Sequence, residues 1–139
     1  DEYIRADITK LILAHKFVDA VVSLDVVEHL EKRDALQLIK RMDVWATKKI
    51  VILTPNGFLE QNEYCGNPLQ KHRSWWSAEE FEELGFRVKG LNGLRYLRGE
   101  MAKLKYRPQM FWKVVSDCSQ RISYYTPSYA YHLLCVKDL

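Results

Sequence analysis

The chain has 139 residues, of which 47% are hydrophobic and 28% are charged, and its formal net charge is +3 at pH 7. This composition is typical of one folded globular domain and excludes a disordered segment, and no apolar run approaches the roughly 18 residues that a membrane-spanning helix needs. The three cysteines are widely spaced and form no C-x-x-C pair. They indicate reduced thiols in the cytoplasm rather than a disulfide framework or a zinc knuckle.

The first part of the chain predicts strands on either side of one helix. Tyr3–Ile8 indicates a short strand that ends in a carboxylate, and the nearly continuous apolar run Val18–Leu24 is typical of an interior parallel strand covered on both faces. Lys49–Thr54 predicts another buried strand, which the turn residues Pro55-Asn56-Gly57 end. Between them, apolar residues recur at helical spacing: Ala35, Leu38, Ile39, Met42 and Trp45.

The second part predicts two further helices and two further strands. Ser77 and Glu80 have the spacing of a capping box, and the helix that they begin ends at Gly85. A strand is predicted over Phe86–Leu91, a helix from Pro108 onward and a last strand over Tyr129–Lys137. Strands that alternate with helices predict an α/β domain whose sheet is parallel in its central part.

Candidate ligand-binding residues follow the predicted strands, because ligands of open α/β sheets bind at the carboxyl ends of the strands. They are Asp7-Ile8, then Asp25-Val26 with Glu28-His29, and finally Pro55-Asn56. Asp7 has an alternative role, in which its carboxylate only caps the turn after a strand.

Several stretches resemble the second half of class I S-adenosylmethionine-dependent methyltransferases, which have a Rossmann-like fold. FVDAVVSLDVVEHLEK, followed by a helix and KKIVILTPNG, resembles the region of the fourth strand and its loop. HRSWWSAEEFEELGF resembles the fifth helix leading into the sixth strand, and YAYHLLCVKDL resembles the seventh strand. The resemblance implies a single partial methyltransferase domain over residues 1–139, in which Tyr3–Ile8 is the third strand.

The family's first two strands and its glycine-rich E-x-G-x-G turn have no counterpart in this sequence, and the family's sheet order, 3-2-1-4-5-7-6, implies that the resulting gap lies in the middle of the sheet. The chain has only six glycines and no such cluster. Without its neighbour, Val18–Leu24 would become an apolar sheet edge, which we expect a second copy of the chain to cover.

The resemblance also implies which residues bind the cofactor, S-adenosylmethionine. Asp7 would accept a hydrogen bond from the adenine amino group, and Ile8 would lie beside the ring. Asp25, Val26 and His29 would lie near the ribose, the methionine part and the methyl group. Methyl transfer mainly requires alignment and exclusion of water. His29 is a candidate base for the acceptor; the alternative is a helix-start residue that holds the loop.

The segment Phe58–Trp76 is predicted to be a loop over the active site, because structureless loops of this length are often functional. Trp75 and Trp76 are candidates for substrate contact, with one of them expected in the core. Asn56 belongs to the same candidate substrate loop, although a plain turn is favoured there. No metal site is predicted, since Cys65 and His72 lack the spacing of metal ligands.

A basic stretch between Gly85 and Gln109 is opposed only by Glu100, and tyrosines lie within it. Such a stretch either contacts a phosphate backbone or forms a solvated strand edge and loop.

The leading hypothesis is methyl transfer to an unidentified acceptor, which could be a small molecule, a lipid precursor or RNA. The alternatives are a non-catalytic methyltransferase-like partner module and, more weakly, a nucleic-acid-binding domain.

Overall fold

The computed structural model describes residues 3–59, 67–99 and 102–139. They contain a four-stranded mixed sheet with the strand order β1-β2-β4-β3. Its strands are β1 (Val18–Leu24), β2 (Ala46–Pro55), β3 (Arg87–Leu94) and β4 (Ala130–Asp138), and the helices are α1 (Lys32–Trp45), α2 (Ala78–Glu83) and α3 (Gln109–Tyr125). None of the helices in the described ranges is both long and apolar enough to cross a bilayer.

The strand directions bring several chain segments to the same end of the sheet, where β1 and β2 finish. β1 and β2 are parallel, so their carboxyl ends lie side by side. β4 is antiparallel to both β2 and β3. It therefore begins at this same end of the sheet, where Pro55 pairs with His132. Asp25, Asn56 and His132 consequently come close together although they lie far apart in the sequence.

The core lies mainly between α1, α2 and the inner strands. Leu38 and Ile39 of α1 pack with Ile50 and Ile52 of β2 in one buried cluster. α3 instead approaches β3 closely through small residues, because a Cβ atom on Gly90 would lie 2.0 Å from the carbonyl oxygen of Ser123. At this position the absence of a side chain is what allows the helix to pack.

Most of the predicted elements are confirmed. β1 has the predicted bounds, and α1, β2, β3, α3 and β4 cover the predicted segments with ends that differ by a few residues. The capping box of α2 is complete, with Ser77 accepting from the Glu80 amide and Glu80 accepting from the Ser77 amide. Gly85 follows α2 with φ +85°, the left-handed conformation expected at that place.

The strand predicted over Tyr3–Ile8 is wrong. These residues form no strand, and the side chains of Tyr3 and Ile4 are 89% and 59% exposed. A strand requires a ladder partner, and none of the described strands pairs with this segment. The described sheet therefore has four strands, rather than the five that the resemblance implied.

The apolar run of Val18–Leu24 by itself predicted an interior strand, which is wrong, whereas the exposed sheet edge implied by the resemblance is confirmed. β1 is an edge of the described sheet, and Val22 and Leu24 are 59% and 56% exposed. The strand is apolar on both faces, yet among the described residues it has a neighbouring strand, β2, along only one of its two edges.

Candidate functional site

A cleft of about 690 Å³ lies beside the carboxyl end of β1. The residues that the family resemblance assigned to the cofactor all line it: Asp7, Ile8, Asp25, Val26 and His29. The structure therefore brings these side chains together, although Asp7 and Ile8 come from a segment that is not a strand. Their roles in binding stay predictions.

This cleft, hereafter the first cleft, is acidic. Its lining includes the carboxylates of Asp7, Asp25, Glu31 and Asp34 and one guanidinium, that of Arg73. Arg73 pairs with Glu31, with 3.5 Å between Nη1 and Oε1. The excess of carboxylates favours a ligand that carries positive charge.

Asp7 also makes the turn contacts that were its alternative role. Its Oδ1 accepts hydrogen bonds from the backbone amide of Thr9 at 2.9 Å and from the Thr9 hydroxyl at 2.7 Å. These bonds hold the pKa of the Asp7 carboxyl below its ordinary value. Its Oδ2 lies 3.5 Å from the exposed ammonium of Lys10.

Asp25 forms the corner after β1. Its φ is +51°, a left-handed conformation that aspartate adopts more readily than most residues. Its amide donates to the carbonyl of Leu53 at 3.0 Å, which ties the corner to β2. Its carboxylate Oδ1 lies 3.9 Å from Nε2 of His132, at the start of β4.

A second cleft of about 510 Å³ adjoins the first and shares Asp25 and His29 with it. Its lining adds titratable and polar side chains from several segments: Glu28, His72, Tyr131 and His132. Sequence reasoning named Glu28 only as a candidate ligand-binding residue and assigned no role to the other three. Glu28 belongs to the sequence Glu28-His29-Leu30 after β1, hereafter the EHL motif, but nothing local indicates that His72 and His132 lie beside it.

Glu28 is the most strongly perturbed acid of this region. The residue is 2% exposed, and its Oε2 accepts a hydrogen bond from the Thr54 hydroxyl at 3.1 Å. Burial, with a smaller contribution from the charge of Asp25, raises the pKa of the carboxyl to about 7. The Glu28 carboxyl therefore titrates close to neutral pH.

The backbone of Glu28 brings His72 to the cleft. Its carbonyl oxygen accepts from the amides of Arg73 and Ser74 at 2.8 and 3.1 Å. As a result, the rings of His72 and His29 meet edge to face, with 4.9 Å between their centroids. Burial lowers the pKa of His72 and so favours its neutral form.

His132 is fixed by a neighbour on β3. The amide Nδ2 of Asn92 lies 2.7 Å from Nδ1 of the ring. Because an amide nitrogen only donates, Nδ1 accepts, and the ring proton is on Nε2, which faces Asp25. Burial lowers the pKa of His132.

The candidate substrate residues are not gathered at either cleft. Trp76 is fully buried and stacks on Phe81 at 4.9 Å between ring centroids, so the substrate contact predicted for it is not supported. Trp75 is 59% exposed, in contact with Phe58, and lines neither cleft. One of the two tryptophans is thus in the core, as predicted.

Asn56 is a structural residue in this fold. Its Nδ2 lies 2.9–3.0 Å from the carbonyl oxygens of Pro127, Ser128 and Ala130. The residue is 7% exposed. The side chain holds the turn before β4, which agrees with the turn reading that the sequence favoured.

The basic stretch is partly committed to internal contacts. The guanidinium of Arg98 donates to the carbonyls of Asn92 and Ala102 and to the Ser116 hydroxyl, at 2.7–2.9 Å. Arg87 pairs with Asp138. These contacts favour the structural interpretation of this stretch, and nucleic-acid binding stays a prediction.

The fold belongs to the α/β class, and its four-stranded mixed sheet resembles that of a methyltransferase. A solved structure similar to it is a SAM dependent methyltransferase from Archaeoglobus fulgidus, with a TM-score of 0.52 and 17% sequence identity. The match covers 98% of this chain and 66% of that protein, so the chain spans less than two thirds of its length. At this identity the likeness shows the fold alone. No family model matches the sequence, and no curated protein matches it.

Proposed function

We propose that this chain is part of an S-adenosylmethionine-dependent methyltransferase and forms one side of its cofactor site. The observation that carries the proposal is the first cleft, which is lined by every residue that the family resemblance assigned to the cofactor. The strand order supports it, because β1, β2, β3 and β4 taken as the family's strands four to seven give the order 4-5-7-6.

The lining of the first cleft suits the cofactor. Its volume of about 690 Å³ lies within the roughly 300–1,000 Å³ typical of small-molecule sites. The carboxylates of Asp7 and Asp25 are acceptors for amino and hydroxyl groups, and Ile8 and Val26 offer apolar contact to a ring. When bound, S-adenosylmethionine supplies an electrophilic methyl group on a positively charged sulfur, and the acidic lining favours that charge.

The second cleft is the place for the methyl acceptor. It shares Asp25 and His29 with the first cleft, so groups bound in the two clefts meet across these side chains. The contribution of the protein is alignment and exclusion of water, which an in-line displacement mainly requires. The sequence-based role of His29 as a base stays a prediction.

A calorimetric titration with S-adenosylhomocysteine tests the proposal. It is run on this chain and, where the natural protein has more sequence, on that longer protein. Asp25→Asn removes the shared carboxylate, and Asp117→Asn, an exposed carboxylate of α3, is the matched control. We expect Asp25→Asn to weaken binding by roughly 10–100-fold, the effect of losing a hydrogen bond to a charged group, and Asp117→Asn to leave it unchanged.

The second candidate function is a non-catalytic methyltransferase-like module that stabilises another chain. The observation in its favour is that these 139 residues contain no glycine-rich E-x-G-x-G turn. Absence of S-adenosylhomocysteine binding by both forms of the protein would favour this candidate over the enzyme. Binding that Asp25→Asn does not weaken would instead contradict the assignment of the first cleft.

A further inference from the structure

Three potential metal ligands meet in the second cleft. Glu28, His29 and His72 each offer one ligand atom, and these atoms lie within 4.8 Å of one another. Glu28 and His29 are adjacent in the sequence, whereas His72 is brought to them by the hydrogen bonds between the Glu28 carbonyl and the amides of Arg73 and Ser74. The main chain thus holds the cluster together.

In each of the two histidines, one ring nitrogen lies at hydrogen-bond distance from a backbone carbonyl oxygen. Nδ1 of His29 lies 3.2 Å from the carbonyl oxygen of Lys71, and Nδ1 of His72 lies 2.7 Å from that of Leu59. A carbonyl only accepts hydrogen bonds, so both Nδ1 atoms carry the proton. The Nε2 lone pairs therefore remain for a ligand, which is the arrangement typical of histidines that bind metals.

The carboxylate is oriented in the same way. Thr54 donates its hydroxyl hydrogen to Oε2 of Glu28 at 3.1 Å, and such outer contacts fix ligand orientation in metal sites. All three side chains line the second cleft, which leaves coordination positions that face a space of about 510 Å³.

We propose that Glu28, His29 and His72 bind a divalent transition-metal ion of the Zn²⁺ type. Two imidazoles and one carboxylate are a donor set used by catalytic zinc and other first-row metal sites, which keep a position open for water or substrate. Bonds of about 2.1 Å in a tetrahedral site require ligand atoms about 3.4 Å apart. The three atoms lie within 4.8 Å of one another, so binding requires each pair to approach by at most about 1.4 Å.

A metal ion held at this place would also indicate the class of acceptor, an inference that rests on the proposed methyl transfer. A metal ion lowers the pKa of a coordinated hydroxyl group, so the acceptor is an alcohol or a phenol. Its O–H bond breaks with the proton passing to solvent, the oxygen forms a bond to the methyl carbon, and the carbon–sulfur bond breaks with its electron pair going to sulfur. His29 is then a metal ligand rather than the base.

The test is calorimetric titration of metal-stripped protein with Zn²⁺, without cofactor. We expect Glu28→Gln and His72→Gln each to lower Zn²⁺ affinity by at least about 100-fold, since loss of an outer partner alone costs roughly 10–100-fold. Thr54→Val, which removes such an outer partner, is expected to fall in that lower range. His15→Gln, which changes an exposed histidine distant from the cluster in sequence, is the matched control and leaves the affinity unchanged.

A measurement on the unmodified protein keeps the test valid if a variant does not fold. Nitrogen-15 spectra of the histidine side chains should show Zn²⁺ shifting the Nε2 signals of His29 and His72 but not those of His15. Absence of Zn²⁺ binding, or shifts at His15 alone, would overturn the metal site. Zn²⁺ binding without S-adenosylhomocysteine binding by either form of the protein would sustain the site and reject methyl transfer, while S-adenosylhomocysteine binding without Zn²⁺ binding would reject the site only.

Discussion

Replacing Glu28 by glutamine should make the protein more stable at neutral pH. The glutamine oxygen can still accept the Thr54 hydrogen bond, so the substitution removes chiefly the buried charge. The pKa of the Glu28 carboxyl rises from 4.5 to about 7 in the fold. At about 1.4 kcal/mol per pKa unit, this difference corresponds to about 3 kcal/mol.

The sign follows from proton binding. The folded protein binds the proton more tightly than the unfolded chain, so the contribution of Glu28 to stability is complete below its unfolded pKa of 4.5 and is lost as the pH rises through about 7. The Glu28→Gln variant has no carboxyl group at this position, so it does not lose stability in this way as the pH rises. The gain in the free energy of unfolding of the variant over the wild type should therefore grow by about 2–3 kcal/mol between pH 5 and pH 8.

Urea unfolding followed by far-UV circular dichroism, with a chelator present, measures this difference at each pH. Glu83→Gln, which changes an exposed glutamate at the end of α2, is the control, and its effect should depend much less on pH. If the difference between wild type and Glu28→Gln stays constant from pH 5 to pH 8, the carboxylate is hydrated or compensated in the fold and the reasoning from burial is refuted.

Three further predictions concern stability and assembly. Asn56→Ala should lower the free energy of unfolding by about 1–3 kcal/mol, because it leaves buried carbonyls of the turn before β4 without their donor; an equal loss on replacing an exposed side-chain amide, such as Gln37 of α1, would argue against this. Trp76→Ala should cost about 3–5 kcal/mol and Trp75→Ala less than about 1, as chemical denaturation would show, since only Trp76 is fully buried. We also predict that the chain self-associates through the exposed edge of β1, so light scattering should find oligomers that Val22→Lys dissociates, and a wild-type monomer at high concentration would contradict it.

The parts of the fold that sequence predicted well are those decided by nearby residues. The capping box of α2 and the left-handed Gly85 after it depend on contacts within a few positions. Helical spacing gave α1 for the same reason. The segment Tyr3–Ile8 failed because a strand depends on a partner elsewhere in the chain, and its own residues carry no information about whether that partner exists.

The residues of the candidate site also fall into those that the local sequence predicts and those that it does not. The residues of the first cleft that follow β1 were predictable, since the carboxyl end of a strand is where α/β sheets bind ligands. His72 was not, because it reaches Glu28 through backbone hydrogen bonds that join positions 28 and 73–74. A backbone hydrogen bond leaves no residue-type signature in a single sequence, so no spacing rule could have paired His72 with the EHL motif.

The anchoring of residues 73 and 74 on the Glu28 carbonyl separates the placement of His72 from the choice of side chains that line the rest of the second cleft. His72 is held from its carboxyl side by main-chain bonds to the same turn that carries Glu28 and His29. Because this hold is made by the main chain, side chains of the cleft lining can be exchanged without removing the hydrogen bonds that place His72. For protein engineers, this makes the lining of the second cleft a natural target for randomisation aimed at altered ligand binding.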